Sequence, residues 1–204
     1  MLFPQRLKRI IYIDTDQIVQ GDLAALWTRN LRGQPIAMTP FCQRDANNET
    51  RGFRFWEGGF WESHLGPAKP YHISALFVVD LQRFRADGVG DTYRSTYQSL
   101  TADPNSLSNL DQDLPNYLQH QVPIHSLPEE WLWCEAWCGK SSQDAAQTID
   151  LCNNPKTKEA KLEQARRIGG ARWVGIDQRI ERALAGTSTT GTGGAPDAET
   201  KDEL

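Results

Sequence analysis

The feature that narrows the fold most is a short run near the start of the chain, Ile10-Ile11-Tyr12-Ile13, followed at once by Asp14-Thr15-Asp16. Four apolar or aromatic residues, mostly β-branched and flanked by polar ones, suit a strand buried on both faces of a parallel sheet. In such sheets ligands bind outside the carboxyl ends of the strands, which is where Asp14 and Asp16 stand. Residues two apart on a strand point to the same side. Two carboxylates there repel each other until something neutralises them, and a hard divalent cation is the ordinary neutraliser. Position is what distinguishes this pair. At ordinary composition ~200 residues contain about one Asp-x-Asp by chance, and the chain has a second, Asp111-Gln112-Asp113. A solvated turn at a strand end is the competing reading.

The 204 residues suffice for one domain with a real core. A net charge of -4 without any Lys/Arg stripe argues against a nucleic-acid surface. No stretch has the length of a membrane span, so no membrane insertion is expected. The seven tryptophans suit sugar stacking, but Trp is also a large core residue.

Along the chain, Asp22 is placed to cap a short helix over Leu23–Trp27, and Pro35 to Met38 reads as a strand. Cys42 to Thr50 is polar and aperiodic, a surface loop. An aromatic cluster follows: Phe53, Phe55, Trp56, Phe60 and Trp61. Ile73 to Asp80 is the second strong buried strand, and a helix starts at Leu81. Tyr93–Leu100 and the segment opening at Asp111 look helical, with a break at Pro104-Asn105. Asp150 to Pro155 is an Asn-rich loop, and Lys156 to Ile168 is an exposed helix. Strands with intervening helices make an α/β arrangement, with too few strands for a complete doubly wound sheet. Residues 1–184 form the folded part, and 185–204 a Thr/Gly/Ala-rich disordered tail.

That tail ends in Lys201-Asp202-Glu203-Leu204, the retrieval signal of the endoplasmic reticulum, which implies an oxidising lumen. Cys42, Cys134, Cys138 and Cys152 can pair there in three ways, and the spacing does not choose among them. Met1 to Lys8 carries no entry signal, and the first strand begins about ten residues in. The chain is therefore expected to be the C-terminal piece of a longer one. By itself it should be poorly soluble, with Ile10, Ile11, Phe77 and Val78 near an uncovered sheet edge.

Assembled, these stretches resemble the catalytic domain of the UDP-glucose:glycoprotein glucosyltransferases. The matching segments are Asp14-Thr15-Asp16-Gln17-Ile18-Val19, Thr39-Pro40-Phe41-Cys42, Phe53-Arg54-Phe55-Trp56 and Tyr71-His72-Ile73-Ser74-Ala75-Leu76. They continue through the segment from Asp103 to Asn116, Glu130-Trp131-Leu132-Trp133-Cys134-Glu135, and Thr148-Ile149-Asp150-Leu151-Cys152-Asn153-Asn154-Pro155. The family usually has Ala where this chain has Thr15, and the loop from Gln43 to Arg51 looks slightly longer than usual.

The resemblance implies a partial GT-A type nucleotide-sugar transferase fold, a Rossmann-like, mostly parallel sheet flanked by helices, with the first strand or strands missing. It implies glucose transfer from UDP-glucose to high-mannose N-glycans of misfolded glycoproteins, with retention and with Ca²⁺ or Mn²⁺ as cofactor. By resemblance Asp14, Asp16 and Asp150 hold the metal, while Ser74, Ala75, Leu76 and Asp111 line the donor sugar. Asp111, Gln112 and Asn116 face the transferred hexose, Gln112 and Asn116 sharing a helix face at i, i+4. Asp113 would then point away, as a cap.

Each role has a plainer rival. Asp150 could be a loop carboxylate, Leu76 core, and His72 a structural histidine rather than a phosphate contact. Trp56, Trp61, Trp131 and Trp133 are candidates for acceptor stacking or simply core. The alternative function is a lumenal fragment without donor binding, acting as a non-catalytic binding module. A calcium buffer is excluded because the acidic residues are scattered rather than clustered.

Overall fold

The computed structural model describes residues 3–104, 106 and 108–188. Its elements are β1 (Arg9–Ile13), β2 (Gln17–Val19), α1 (Ala24–Trp27), β3 (Ile36–Pro40), α2 (Gly59–Leu65), β4 (His72–Asp80), α3 (Leu81–Ala86), α4 (Val89–Leu100), α5 (Leu110–Tyr117), β5 (Ile124–Ser126), β6 (Trp133–Cys134), β7 (Thr148–Asp150) and α6 (Lys161–Ser188). The strands form two sheets, in the orders β1-β4-β3-β5 and β2-β7-β6. The α/β class holds, but the strand directions differ from expectation. β4 pairs antiparallel with both β1 and β3, and only β3 with β5 and β6 with β7 run parallel. An unbroken apolar run encodes burial on both faces, and helices covering both faces bury antiparallel strands equally well.

Alternation along β4 divides the interior in two. Leu76 and Val78, and Ala75 beyond the register shift at Met38/Thr39, join Ile11, Ile13 and Ala37 in a core filled by Phe41, Trp56, Trp61, Tyr71 and Trp131. Phe77 and Val79 face the other way, with Ile10, Ile36, Met38 and Ile124, under Leu81, Phe84 and Tyr93. β1 is an edge strand of this sheet, and Ile10 and Ile11 are half-buried there; Phe77 is half-buried too, but it stands on the interior strand β4 and borders an apolar groove. Val78 is not half-buried: it is fully enclosed on the first face.

Local chemistry sets the element ends. The Asp22 carboxylate accepts from Ala24 N–H at 2.8 Å, one residue ahead of Leu23, which holds the cap position of α1 in place of the expected Asp22, and Asp80 caps α3 by accepting from Arg83 N–H at 3.0 Å. The helix expected from Lys156 starts only at Lys161. An Asx turn intervenes, in which Asn154 Oδ1 accepts from Lys156 N–H at 2.9 Å. The Cys42–Thr50 loop is less free than its polarity suggests. A Cys42–Cys138 disulfide anchors it, and the buried Thr50 hydroxyl donates to the Ala136 carbonyl.

A second disulfide joins Cys134 to Cys152. Residues from Leu162 onward form a separate compact unit, a helix interrupted at Gly170, whose φ of 52° is non-helical. That helix runs to Ser188, past the tail boundary expected at residue 185, while 189–204 lie outside the described residues, as do Asn105 and Leu107. No helix among the described residues is long and apolar enough to cross a membrane.

Candidate functional site

A polar cleft of about 470 Å³ opens where β1, β4, β7 and the N-terminus of α5 converge, with Asp14, Asp16, Ser74, Ala75, Asp111, Gln112 and Asp150 in its wall. Backbone pairing brings the carboxylates there. Asp14 N–H donates to the Ala75 carbonyl at 2.9 Å, and the Gln17 side-chain amide donates to the same oxygen at 2.7 Å. β2 runs antiparallel to β7 with Gln17 opposite Asp150, and Leu151 N–H donates to the Asp16 carbonyl at 3.0 Å. Residues from opposite ends of the folded part are thus locked side by side.

Asp14 and Asp16 are half-buried, while Asp150 is only 3 % exposed. Burial, reinforced by the neighbouring charges of Asp16 and Asp14 and opposed by Lys161, pushes the Asp150 carboxyl up to about 7. The Lys161 ammonium pairs with Asp16 Oδ2 at 2.9 Å and donates to the Leu151 carbonyl. The Tyr12 hydroxyl, bonded to the Asp14 carboxylate, is held above its ordinary pKa first by that bond and then by burial and the surrounding acids.

The opposite wall is built on α5. Ser74 Oγ donates to Asp111 Oδ2 at 2.8 Å, and Ser74 N–H donates to Gln112 Oε1 at 3.3 Å. Gln112 Nε2 donates to the Tyr71 hydroxyl at 3.4 Å, which in turn donates to Asp113. Asp113 is the expected cap, accepting from Ser108 N–H at 3.0 Å and Asn109 N–H at 2.9 Å behind the cleft.

Three placements depart from the sequence reading. Asn116 does share the Gln112 face, but it is fully buried and committed elsewhere. Its amide donates to the His72 and Gln112 carbonyls, each at 2.8 Å, and its oxygen accepts from His72 N–H at 2.8 Å. It props α5 on β4 rather than reaching the cleft. Leu76 is core, 0 % exposed, and so not a wall for sugar.

Trp61, Trp131 and Trp133 are likewise buried in the interior, where a glycan has no access; Trp56 is buried but does border the cleft. His72 is structural: burial drives its imidazole down to about 4, and its Nε2 lies 2.9 Å from Ser126 Oγ. Both observations distance it from any phosphate.

Phe55, Trp137, Asn109, Asn153 and Lys161 also line the cleft, and none of them is among the site residues that the sequence implies. Phe55 is 47 % exposed, so the accessible ring at the rim is a phenylalanine rather than one of the four tryptophans. Only three-dimensional proximity selects these residues. A larger, mostly apolar groove of about 880 Å³ lies on the Phe77 face, with Asp91 and Asp111 in its wall beside Arg85 and Arg94.

The donor set fits a hard divalent cation. Three carboxylates share the wall of one cleft, their charges act on Asp150, and all the donor atoms are oxygen, although among the described residues their oxygens are not drawn within 4.8 Å of one another. Cys134 and Cys152 lie close to Asp150, but their sulfurs are joined in a disulfide and offer no thiolate.

The family model for glucosyltransferase 24 matches residues 1–183. The chain is 59 % identical over 181 residues to the probable UDP-glucose:glycoprotein glucosyltransferase A of Dictyostelium discoideum, covering 89 % of this chain and 10 % of that protein. It is 56 % identical over 182 residues to UDP-glucose:glycoprotein glucosyltransferase 1 of Homo sapiens, covering 89 % of this chain and 11 % of that protein. It thus spans about a tenth of the length of these relatives. Among solved structures it is similar to a galactosyltransferase LgtC in complex with donor and acceptor sugar analogues. The TM-score is 0.54 at 12 % identity, over 85 % of this chain and 66 % of that one. The fold is therefore of the GT-A type, present in part.

Proposed function

Because the chain belongs to the glucosyltransferase 24 family, we propose that it forms part of the catalytic domain of a UDP-glucose:glycoprotein glucosyltransferase. The reaction is transfer of glucose from UDP-glucose, with retention, to high-mannose N-glycans of misfolded glycoproteins. The observation that carries this reading is the meeting of Asp14, Asp16 and Asp150 beside Ser74, Ala75 and Gln112 in one cleft. Asp14, Asp16 and Asp150 would hold Mn²⁺ or Ca²⁺, which when bound supplies positive charge against the diphosphate that leaves.

The remaining steps belong to the chain's own groups. Ser74 and Ala75 let the hexose approach the β4 backbone closely. Asp111, exposed and accepting from Ser74, offers its remaining lone pairs to sugar hydroxyls. Gln112 is neutral and held by Tyr71 and Ser74, so it presents an amide beside the anomeric carbon without competing as a base. Two disulfides and the C-terminal Lys-Asp-Glu-Leu support residence in the endoplasmic-reticulum lumen.

The test is calorimetric titration of the chain with UDP-glucose in Mn²⁺ and then in EDTA, using wild type and the Asp14→Ala, Asp16→Ala and Asp150→Ala variants. Binding that needs the metal and is lost in each variant is the expected result. Metal-independent binding, or an Asp150→Ala variant with unchanged affinity at limiting Mn²⁺, would overturn the ligand assignment. Absence of all donor binding would favour the non-catalytic binding module instead.

A further inference from the structure

Lys161 is the one cation in the wall of the cleft among the described residues, and its contacts are specific. Its ammonium lies 2.9 Å from Asp16 Oδ2 and also donates to the carbonyl of Leu151, the residue directly after Asp150. The lysine therefore ties the Asp16 carboxylate to the backbone directly after Asp150. We propose that Lys161 is an internal counter-ion of this cluster, that a divalent cation and the Lys161 ammonium exclude one another there, and that Lys161 thereby sets the metal affinity of the site. The proposal rests on the cation reading of the cleft given above.

The exclusion follows from geometry. A metal bound to Asp16 would stand about 2.0–2.6 Å from a carboxylate oxygen. With the ammonium on that same carboxylate, the two positive charges would be within about 5 Å, where repulsion in a partly screened site exceeds thermal energy. The lysine can yield. Its side chain is 39 % exposed and that of Asp16 36 %, so the ammonium has a path into water and the desolvation it escapes is modest. An exposed pair of this kind is worth little as a structural clamp. Its consequence is instead a competition: the carboxylates are compensated before loading, and the entering ion must displace a charge already present.

Two readouts test this, neither requiring turnover. The first is binding of Tb³⁺ or Mn²⁺ to the full chain. Trp56 and Trp137 border the cleft and would sensitise terbium emission. Lys161→Met and Lys161→Gln should bind the ion about tenfold more tightly than wild type, the scale of one nearby unit charge removed, while Lys161→Arg should stay near wild type. The second is amine labelling read by peptide mass spectrometry. Reactivity of Lys161 should rise several-fold when metal is added, with exposed Lys158 as the internal reference.

That second measurement separates displacement from a mere long-range charge effect, and it uses the unmodified protein, so it stands even if a variant folds poorly. Saturable metal binding with unchanged Lys161 labelling would overturn the proposal while leaving the cation reading intact. The same holds if removing the lysine leaves affinity unchanged or weakens it. No metal binding by wild type, Asp150→Asn or the lysine variants would overturn both.

Discussion

Asp150 is the residue where burial and function conflict most directly. Its carboxyl is pushed up to about 7 by burial and then by Asp16 and Asp14, against an ordinary carboxylate value near 4. The folded chain therefore binds this proton more tightly than the unfolded chain. Between about pH 4 and pH 7 the folded state carries the extra proton, so stability of the metal-free chain should fall as pH rises through that window. Melting temperature against pH in EDTA will show this slope, and Asp150→Asn should flatten it. Metal affinity should move the opposite way, weakening about tenfold for each pH unit below 7, because the ion must expel the proton.

This conflict was only half legible in the sequence. Asp14 and Asp16 advertise themselves by following an apolar strand, whereas Asp150 sits in a loop-like context. The resemblance alone marked Asp150 as a ligand, and the β2–β7 pairing explains its place. Lys161 gave no signal, since one lysine in a polar helix start looks like any other.

At the scale of elements, α5 is held to β4 by side chains reaching the backbone rather than by apolar packing alone. Asn116 satisfies both the N–H and the C=O of His72, and truncating it strands both groups in the interior. Asn116→Ala should cost about 1–3 kcal/mol in unfolding by urea. It should also weaken UDP-glucose binding in the calorimetric titration by loosening Gln112, whose backbone carbonyl the same amide contacts. An unchanged midpoint would show that the network is dispensable. The i, i+4 spacing correctly predicted that Gln112 and Asn116 share a face. It could not tell which end of that face meets solvent, and so Asn116 was credited with a role its burial forbids. The tryptophans failed for a related reason: composition shows that large aromatic rings are present, not which side of the sheet they fill. Strand direction was illegible because a buried apolar run reads the same in either sense.

Across the whole molecule, both disulfides reach the short segment containing Cys134 and Cys138. One runs to Cys42 across 96 positions and the other to Cys152 across 18. In the chain-entropy view, loops of these lengths restrain the unfolded state by roughly 3–5 kcal/mol each. Cys42→Ala should therefore lower stability by an amount of that order, in a denaturant titration of otherwise oxidised protein, while Lys161 labelling and metal binding survive. Loss of metal binding in the native protein would instead make the Cys42 loop part of the site.

The Cys134–Cys152 bond has a different reach. Cys152 is two residues beyond Asp150, and Cys134 pairs in register with Asp150 on the neighbouring strand. The bond thus fastens the segment carrying the third carboxylate covalently to the neighbouring strand. A freshly made chain that has not yet oxidised this bond would hold its acids on a slack tether.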